Sequence, residues 1–448
     1  ADGVHTTIST QYGSYNTWLT SATNTTRFGR FSSLASASYN RTDGTVDNFD
    51  FKQADGYVKV GYDFSTRWKA AADYTIMHFK GNDPIYPKLS NPESTDIYRQ
   101  SITRGEASLS ATNTYAGTNG TARVYYSYGS HFVDDPRHFH SRDDRFGVIV
   151  YQNFSPWQGA SATVGFDFDR YSGEIPVSGG NQHAPGSMST IGRKKINEYS
   201  PYVTLSQSLG GELLNLNGGV RMANSDMFDT QWVPQLGFAL NPGDGYTVKG
   251  TLAMGYRNPS FRELYLYRMA NPDLQPEKMM NYEVSAGKRF SRYLNIDVTL
   301  YYSRGRDMIQ VLDNRNTNTG RFINKGVEVS AGSHPLDNLR LYASYSYLHT
   351  SLNNLTGAPK SQYYLGGELT LWDRLKIAAD LKGTGSLYVA DDVKHQNYAL
   401  LNMKLTYSVC RYADIFTRLE NITDARYTIN RGYEMPGFTA LGGIKVSF

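Results

Sequence analysis

Apolar residues recur at every second position along much of this chain. Between residues 402 and 409, one face takes Met403, Leu405, Tyr407 and Val409, and the polar residues between them take the other. The same alternation occupies residues 58–64, 296–303 and 444–448. A period of two is that of a β-strand with one apolar and one polar face. Helical spacing is rare over comparable windows, so we expect an all-β chain.

Short turns and long polar connections alternate between these strands. The short ones lie near residues 28–30, 64–66, 155–157, 209–211, 241–244, 290–292 and 334–338. The long ones lie near residues 81–98, 131–142, 171–194, 258–277, 306–320, 386–395 and 422–436. Transmembrane β-barrels sort their connections in this way, with short periplasmic turns and long extracellular loops. The count predicts an antiparallel transmembrane β-barrel of about 22 strands, with both termini on the periplasmic side.

The composition agrees with a barrel. Only 40% of the 448 residues are hydrophobic, yet 13% are aromatic and 35 are tyrosines. A wet lumen explains the polar half of each strand, and tyrosines form girdles where a barrel meets the two membrane interfaces. No shift in composition divides the chain, so we expect residues 1–448 to form a single barrel domain.

Other classes of protein are excluded or disfavoured. No run of about 18 apolar residues occurs, which excludes helical membrane spans. The net charge of +4 is carried by scattered basic residues, which argues against a nucleic-acid partner. Cys410 stands alone, so no disulfide framework is expected. A soluble propeller would repeat a motif every ~40–50 residues, and none is found.

The last strand ends on glycine, alternating apolar residues and a terminal aromatic, at Gly443, Val446 and Phe448. This ending resembles the signal by which the outer-membrane assembly machinery recognises a barrel. Upstream, a second motif consists of Asn421, Asp424, Tyr427, Pro436 and Gly437. It resembles the C-terminal signature of TonB-dependent outer-membrane receptors.

The resemblance implies a protein of the Gram-negative outer membrane, with membrane lipid around it. It also implies an N-terminal plug domain inside the barrel, coupling to the TonB–ExbB–ExbD complex through that plug, and in some cases a surface lipoprotein cap. The barrel occupies residues 1–448, so we expect the plug to be absent from this chain. No cofactor is implied, because the metal complex is cargo.

A further resemblance bears on the cargo. The segments 256–259 (Tyr-Arg-Asn-Pro) and 271–274 (Asn-Pro-Asp-Leu) are similar to paired boxes that flank an outer loop in haem receptors of this family. Asn258 replaces the usual alanine, and no histidine lies between the boxes. Related boxes occur in siderophore receptors, so haem and ferric siderophores both remain candidate ligands.

Three of the nine histidines, His131, His138 and His140, lie within ten residues in a predicted outer loop. Histidine is a common ligand of metals and of haem iron. His138 and His140, two residues apart, would lie on one side of an extended segment and form the candidate metal pair. The alternative is a solvated loop whose histidines bind nothing.

The second candidate site is the 258–277 loop. Its Arg262, Tyr265, Tyr267 and Arg268 would hold an anionic, aromatic ligand by charge and stacking. Alternatively, the two tyrosines belong to a strand and its girdle. A triplet of loop carboxylates, Asp43, Asp47 and Asp50, is a weaker candidate for a hard cation such as calcium.

The expected function is therefore uptake of a scarce iron complex, either haem or a ferric siderophore. A cobalamin receptor of the same family and a porin-like channel without a plug are the alternatives. An enzyme is not expected, because the chain has no nucleophile or phosphate-loop motif. Enzymatic outer-membrane barrels also have far fewer strands.

Overall fold

The computed structural model describes residues 3–135, 138–175, 191–266, 269–291, 293–390 and 393–448. Within these ranges the regular structure is almost entirely β. The exceptions are a single 3₁₀ turn, Ser14–Asn16, and two short helices, α1 (Tyr86–Ser90) and α2 (Phe261–Tyr265). None of the helices in the described ranges has the length and hydropathy needed to span a membrane.

Twenty-two of the strands in the described ranges form one closed antiparallel sheet. They are β1 (Gly3–Gly13), β2 (Thr17–Phe28), β3 (Phe31–Thr42), β4 (Phe51–Asp63), β5 (Trp68–Asp83), β6 (Tyr98–Tyr115), β7 (Thr118–Asp134), β8 (Phe139–Phe154), β9 (Ala160–Ile175), β10 (Ile191–Leu209), β11 (Leu214–Ser225), β12 (Gln231–Gly243), β13 (Tyr246–Arg257), β14 (Glu277–Ser291), β15 (Leu294–Leu312), β16 (Arg315–Leu336), β17 (Leu339–Thr350), β18 (Ser361–Leu371), β19 (Leu375–Leu387), β20 (Gln396–Cys410), β21 (Ala413–Glu420) and β24 (Thr439–Ser447). The short strands β22 (Thr428–Asn430) and β23 (Tyr433–Glu434) form a separate hairpin between β21 and β24.

Each barrel strand pairs with its neighbours in the chain, and β1 closes the barrel against β24, from Thr7 opposite Ser447 to Gly13 opposite Leu441. Closure leaves no free sheet edge, so every strand has two partners. The predicted 22-stranded antiparallel barrel is confirmed.

The two faces of the sheet differ as the alternation predicts. Leu109, Val164 and Leu300 are among the most exposed apolar side chains, because they point outward from the barrel towards lipid. Asp167 and Asp169 of β9 alternate with outward-facing residues and point into the lumen, where each meets an arginine.

Two predicted outer loops are wrong in extent. Residues 306–320 are mostly strand, because β15 continues to Leu312 and β16 begins at Arg315. Asp313 and Asn314 join them with φ of 50° and 59°, the paired left-handed conformations of a tight hairpin turn. In the same way, β7 and β8 extend through most of residues 131–142. These strands continue beyond the membrane, and polar residues on both faces made them resemble loops.

Candidate functional site

The loop between β13 and β14, residues 258–276, contains the helix α2. Ser260 precedes the helix and caps it: its hydroxyl accepts a hydrogen bond from the Glu263 amide, and the Glu263 carboxylate accepts one from the Ser260 amide at 2.8 Å. This capping box satisfies backbone groups at the start of a helix. The sequence Ser-x-x-Glu therefore determines where this one-turn helix begins.

A small hydrophobic core lies beneath the helix. Leu264 and Leu274 of the loop are fully buried, and they pack with Ile196 of β10 and Phe228 of the β11–β12 connection. A barrel has no continuous core, so a local cluster of this kind is what holds an outer loop in one position. The loop is thereby fixed to the wall formed by β10 to β15.

The arginine of the first box ties the loop to the barrel. Arg257 donates two hydrogen bonds of 2.9 Å to the Glu263 carboxylate and one of 2.6 Å to Glu277. Burial raises the pKa of Glu263, but the hydrogen bonds from Arg257 and Ser260 outweigh burial and leave that pKa below its ordinary value. Paired arginine–carboxylate bonds are strong and directional.

The unusual asparagine of that box also has a structural role. The amide nitrogen of Asn258 donates to Glu198 at 2.7 Å, and the hydroxyl of Tyr256 donates to the same carboxylate at 2.9 Å. Glu198 is buried, and a buried carboxylate needs such partners. Asn258 thus supplies a hydrogen bond that the alanine usual at this position lacks.

The second box anchors the other side of the loop. The Asn271 side chain donates to the backbone carbonyl of Asn316 at 2.7 Å, and its oxygen accepts from Arg315 at 2.8 Å. In return, the side-chain amide nitrogen of Asn316 donates to the backbone carbonyl of Glu263 at 3.1 Å. Both boxes therefore supply hydrogen bonds that fix the architecture of the loop.

The structure describes two of the four predicted ligand residues of this loop. Arg262 is exposed on α2, whereas Tyr265 is half-buried, with its hydroxyl 3.5 Å from the sulfur of Met227. The ammonium of Lys194 lies 5.2 Å from the Tyr265 ring centroid, a cation–π contact. Tyr267 and Arg268 lie outside the described residues.

The three histidines do not converge. His131 of β7 stands opposite Ser141 and shares the lumen face with Phe139, whereas His140 stands opposite Phe132 on the outer face. His138 has a φ of 46°, so the predicted extended geometry of 138–140 is wrong. Its ring nitrogen Nδ1 lies 3.2 Å from Asp134.

Across the described residues, no group of three or more histidine, cysteine or carboxylate side chains is arranged to hold a metal ion. Two of the predicted loop carboxylates instead bind side chains of the protein. Asp43 accepts hydrogen bonds from Asn16 and Arg41, and Asp50 accepts one from Asn82.

The lumen wall carries a side-chain network that was not predicted from the sequence. Asp169 accepts hydrogen bonds from the Tyr125 hydroxyl at 2.5 Å and from Arg145 at 2.7 Å, and the Arg145 guanidinium lies 4.8 Å from the Tyr171 ring centroid. The alternation of Asp167, Asp169 and Tyr171 along β9 was the available signal. The partners come from other strands, and spacing within one strand cannot identify them.

The C-terminal motif forms the connection between β21 and β24. Asn421 and Asp424 have φ of 49° and 51°, and the Asn421 side chain binds both the amide and the carbonyl of Ala425. Asp424 accepts a hydrogen bond of 2.9 Å from the Phe438 amide. A Cβ atom at Gly437 would lie 2.0 Å from the Asp424 carboxylate, which would have to move away from its hydrogen bond with the Phe438 amide.

This connection lines a cavity with a volume of about 1120 Å³. Tyr364, Lys382 and Arg418 line it from the barrel wall, and Tyr427 and Tyr433 line it from the connection. The Tyr433 hydroxyl donates to Asp83 at 2.6 Å, which links the connection to the β5–α1 segment. The cavity combines aromatic rings with charges of both signs, because its lining also includes the carboxylates Asp50, Asp380, Glu420 and Glu434.

A family model described as TonB dependent receptor-like, beta-barrel matches residues 2–422. The chain belongs to this family. The apolar outer face and the closed sheet agree with it, and the expected location in the outer membrane of a Gram-negative bacterium is confirmed.

One relative is a vitamin B12 transporter, BtuB, of Photobacterium profundum. The two are 25% identical over 235 residues, which is 49% of this chain and 38% of the transporter. The chain thus spans well under half the length of that relative.

Solved structures match the whole chain. The FrpB iron transporter from Neisseria meningitidis (F3-3 variant) has a TM-score of 0.84 at 11% identity, covering 100% of this chain and 82% of that one. A mutant of the ferric enterobactin receptor PfeA from Pseudomonas aeruginosa, in complex with enterobactin, has a TM-score of 0.84 at 14% identity and the same coverage. At such identities the likeness establishes the fold.

Proposed function

We propose that this chain is the barrel of a receptor that takes up a scarce iron complex across the outer membrane. The complex binds among the outer loops and enters the lumen when a plug domain outside residues 1–448 rearranges. The TonB–ExbB–ExbD complex supplies the energy through that plug. An outer-surface lipoprotein cap stays a prediction.

The observation that carries the proposal is the immobilised β13–β14 loop. Its buried leucines and the Arg257–Glu263 bonds hold α2 in one position, with Arg262 exposed on it. A preorganised loop with a cation and aromatic rings suits an anionic, aromatic ligand, because little ordering is needed on binding. Structural neighbours that are iron and ferric enterobactin proteins support an iron complex.

Within the iron complexes, we favour a ferric siderophore over haem. Haem uptake with histidine ligation needs a histidine that reaches the iron, and none lies in residues 260–270. His131 and His140 point to opposite faces of the sheet, so the two cannot ligate one iron from the same side. A siderophore already occupies the coordination sites of its iron, so the receptor needs to supply only charged and aromatic contacts.

Cobalamin is the second candidate, because the relative BtuB is a vitamin B12 transporter. A plug-less diffusion channel is the third, and an enzymatic activity is not proposed. These functions differ in what saturates the protein and in whether it conducts ions.

Binding to the purified full-length protein discriminates between these functions. Intrinsic fluorescence is titrated with a ferric catecholate siderophore, with haem and with cyanocobalamin, in wild type and in the double variant Arg262→Ala/Tyr265→Ala. The matched control, Arg411→Ala/Tyr412→Ala, removes the same residue types from the periplasmic turn between β20 and β21.

We expect saturable siderophore binding that weakens at least tenfold in the loop variant and is unchanged in the control. Saturation by cyanocobalamin alone would replace the iron proposal with the cobalamin one. Saturation by none of the three, together with a large steady conductance in a planar bilayer, would establish a diffusion channel.

A further inference from the structure

The outer wall of the barrel carries a cationic recess near its extracellular edge. The recess spans β13 to β16, has a volume of about 820 Å³, and has two aromatic rings, Tyr282 and Tyr302, with centroids 6.0 Å apart. Asp307 is the one acidic residue among its described lining residues. Its cations are Lys278, Arg304, Arg306 and Arg321.

Strand alternation shows which way this recess faces. Leu300, Tyr302 and Arg304 occupy successive positions on one face of β15, and Leu300 is 58% exposed on the lipid side. At ~3.3 Å per residue, Arg304 lies ~7 Å beyond Tyr302 towards the extracellular end. Outward tyrosines mark the membrane interface, so the Arg304 guanidinium lies at the depth of the lipid headgroups.

Most of this charge has no ion-pair partner among the described residues. Arg306 approaches Asp307 at 3.8 Å, and the ion pairs found among the described residues include none for Lys278, Arg304 or Arg321. Lys278 stands directly opposite Arg306 across the sheet. Like charges directly opposite one another destabilise a sheet unless a counter-ion lies between them.

A second part of the barrel shows the same feature. Arg41, Lys52 and Lys80 stand directly opposite one another on β3, β4 and β5. Arg41 shares the outward face with Tyr39, two residues nearer the membrane, and pairs with Asp43 at 3.0 Å. Lys52 and Lys80 have no ion-pair partner among the described residues, so an anion from outside the chain would relieve the repulsion between them.

We infer that these two cationic sites bind the phosphate groups of anionic lipid in the outer leaflet. Guanidinium groups match phosphate oxygens with paired hydrogen bonds, and anionic surfaces attract each nearby lysine or arginine. The apolar wall below the recess, at Leu300 and Val284, receives the acyl chains of the same lipid. A free phosphate ion would use the cations and leave this wall without a partner.

Native mass spectrometry of the purified protein in detergent tests the inference. The probes are lipid A, a bis-phosphorylated glycolipid, the same lipid after removal of its phosphates, and inorganic phosphate. The test variant Arg304→Gln/Arg321→Gln removes two cations from the recess. The control Lys376→Gln/Lys404→Gln removes two from the lumen face of β19 and β20.

We expect wild type to bind lipid A and to bind the dephosphorylated lipid at least tenfold more weakly. Two removed charges should weaken lipid A binding at the recess about thirty-fold, at about 1 kcal/mol per charge near an anionic surface. One lipid A should still bind at the site on β3 to β5, and the control should bind as wild type. Gel migration before and after heating verifies that each variant is a folded barrel.

Equal binding of the two lipids, or undiminished lipid A binding by the recess variant, would overturn the inference. Inorganic phosphate that binds as tightly as lipid A would likewise overturn it, because the site would then belong to a free anion. None of these outcomes depends on which cargo the receptor transports.

Discussion

Replacing Leu264 by alanine should release the β13–β14 loop while leaving the barrel intact. Leu264 is completely buried between Ile196, Phe228 and Leu274, and this cluster joins α2 to the wall through apolar surface. The strands are held by the closed ladder of backbone hydrogen bonds. Loss of this side chain therefore acts on the loop and not on the strands.

The magnitude follows from complete burial. Truncating a buried leucine costs about 2–5 kcal/mol, with the lower values at sites that can collapse. The cluster lies at the edge of the barrel and can partly close, so we take about 3 kcal/mol. Since 1.4 kcal/mol is a factor of about ten, the open population of the loop should rise about a hundredfold.

Hydrogen exchange measures this opening at named amides. The amides of Leu264, Leu266 and Asn271 donate to carbonyls within the loop, at 3.0, 3.1 and 2.9 Å, and are protected only while it is closed. The control is Leu213→Ala, the same change at a half-exposed leucine in the turn between β10 and β11.

We expect these three amides to exchange about a hundredfold faster in Leu264→Ala, with strand amides unchanged. Unchanged exchange of the loop amides would refute the argument that the apolar cluster holds the loop. Faster exchange of loop and strands together would show that the loop and the barrel open as one unit.

Three further predictions concern the loop, the C-terminal connection and barrel closure. Because the pKa of Glu263 is lowered, its carboxylate stabilises the closed loop fully above the ordinary carboxyl pKa of 4.5, and this stabilisation is lost as the pH falls through the lowered pKa. Acid should therefore open the loop, and faster hydrogen exchange of the Asn271 amide will measure that opening. Gly437→Ala should destabilise the connection by more than about 1 kcal/mol, seen as faster proteolysis, because its Cβ would lie 2.0 Å from the Asp424 carboxylate. Deleting Phe448 should lower the amount of folded barrel in the outer membrane, since its backbone pairs with Thr6 at 2.6 and 2.9 Å and closes the sheet.

Each prediction has a control and a contrary outcome. Glu263→Gln should flatten the acid response, and a response of wild-type size in that variant would assign the effect to another group. Gly442→Ala places the same substitution, likewise without a positive φ, where no atom lies near its Cβ, so equal proteolysis of the two variants would exclude the contact as the cause. Phe64→Ala removes an exposed phenylalanine from a periplasmic turn, and an equal loss of folded barrel would show a general hydrophobic effect.

Much of the fold could be predicted because alternation is a local property. The number of strands was predicted correctly, and a clear error lies at residues 306–320, which were expected to be a loop but belong mostly to β15 and β16. The Asn421–Gly437 motif identified the family, yet it did not show that Asn421 and Asp424 shape a turn or that Gly437 avoids a carboxylate. A motif records which residues are needed, whereas their contacts depend on the folded chain.

The candidate site was predicted less well for the same reason. The clustering of His131, His138 and His140 in sequence suggested a shared ligand, but a hairpin separates neighbours onto opposite faces of the sheet. In contrast, Arg257 and Glu277 are twenty residues apart and form one ion pair, because β13 and β14 bring them into register.

By itself, the sequence determined the class of fold, the number of strands and which residues face lipid, because a period of two depends only on the geometry of a single strand. Only the tertiary structure decided which side chains lie next to one another. Examples are the Tyr125–Asp169–Arg145 network and the opposed cations Lys278 and Arg306. These contacts depend on the register between strands, which is set by the closed barrel as a whole rather than by any one segment.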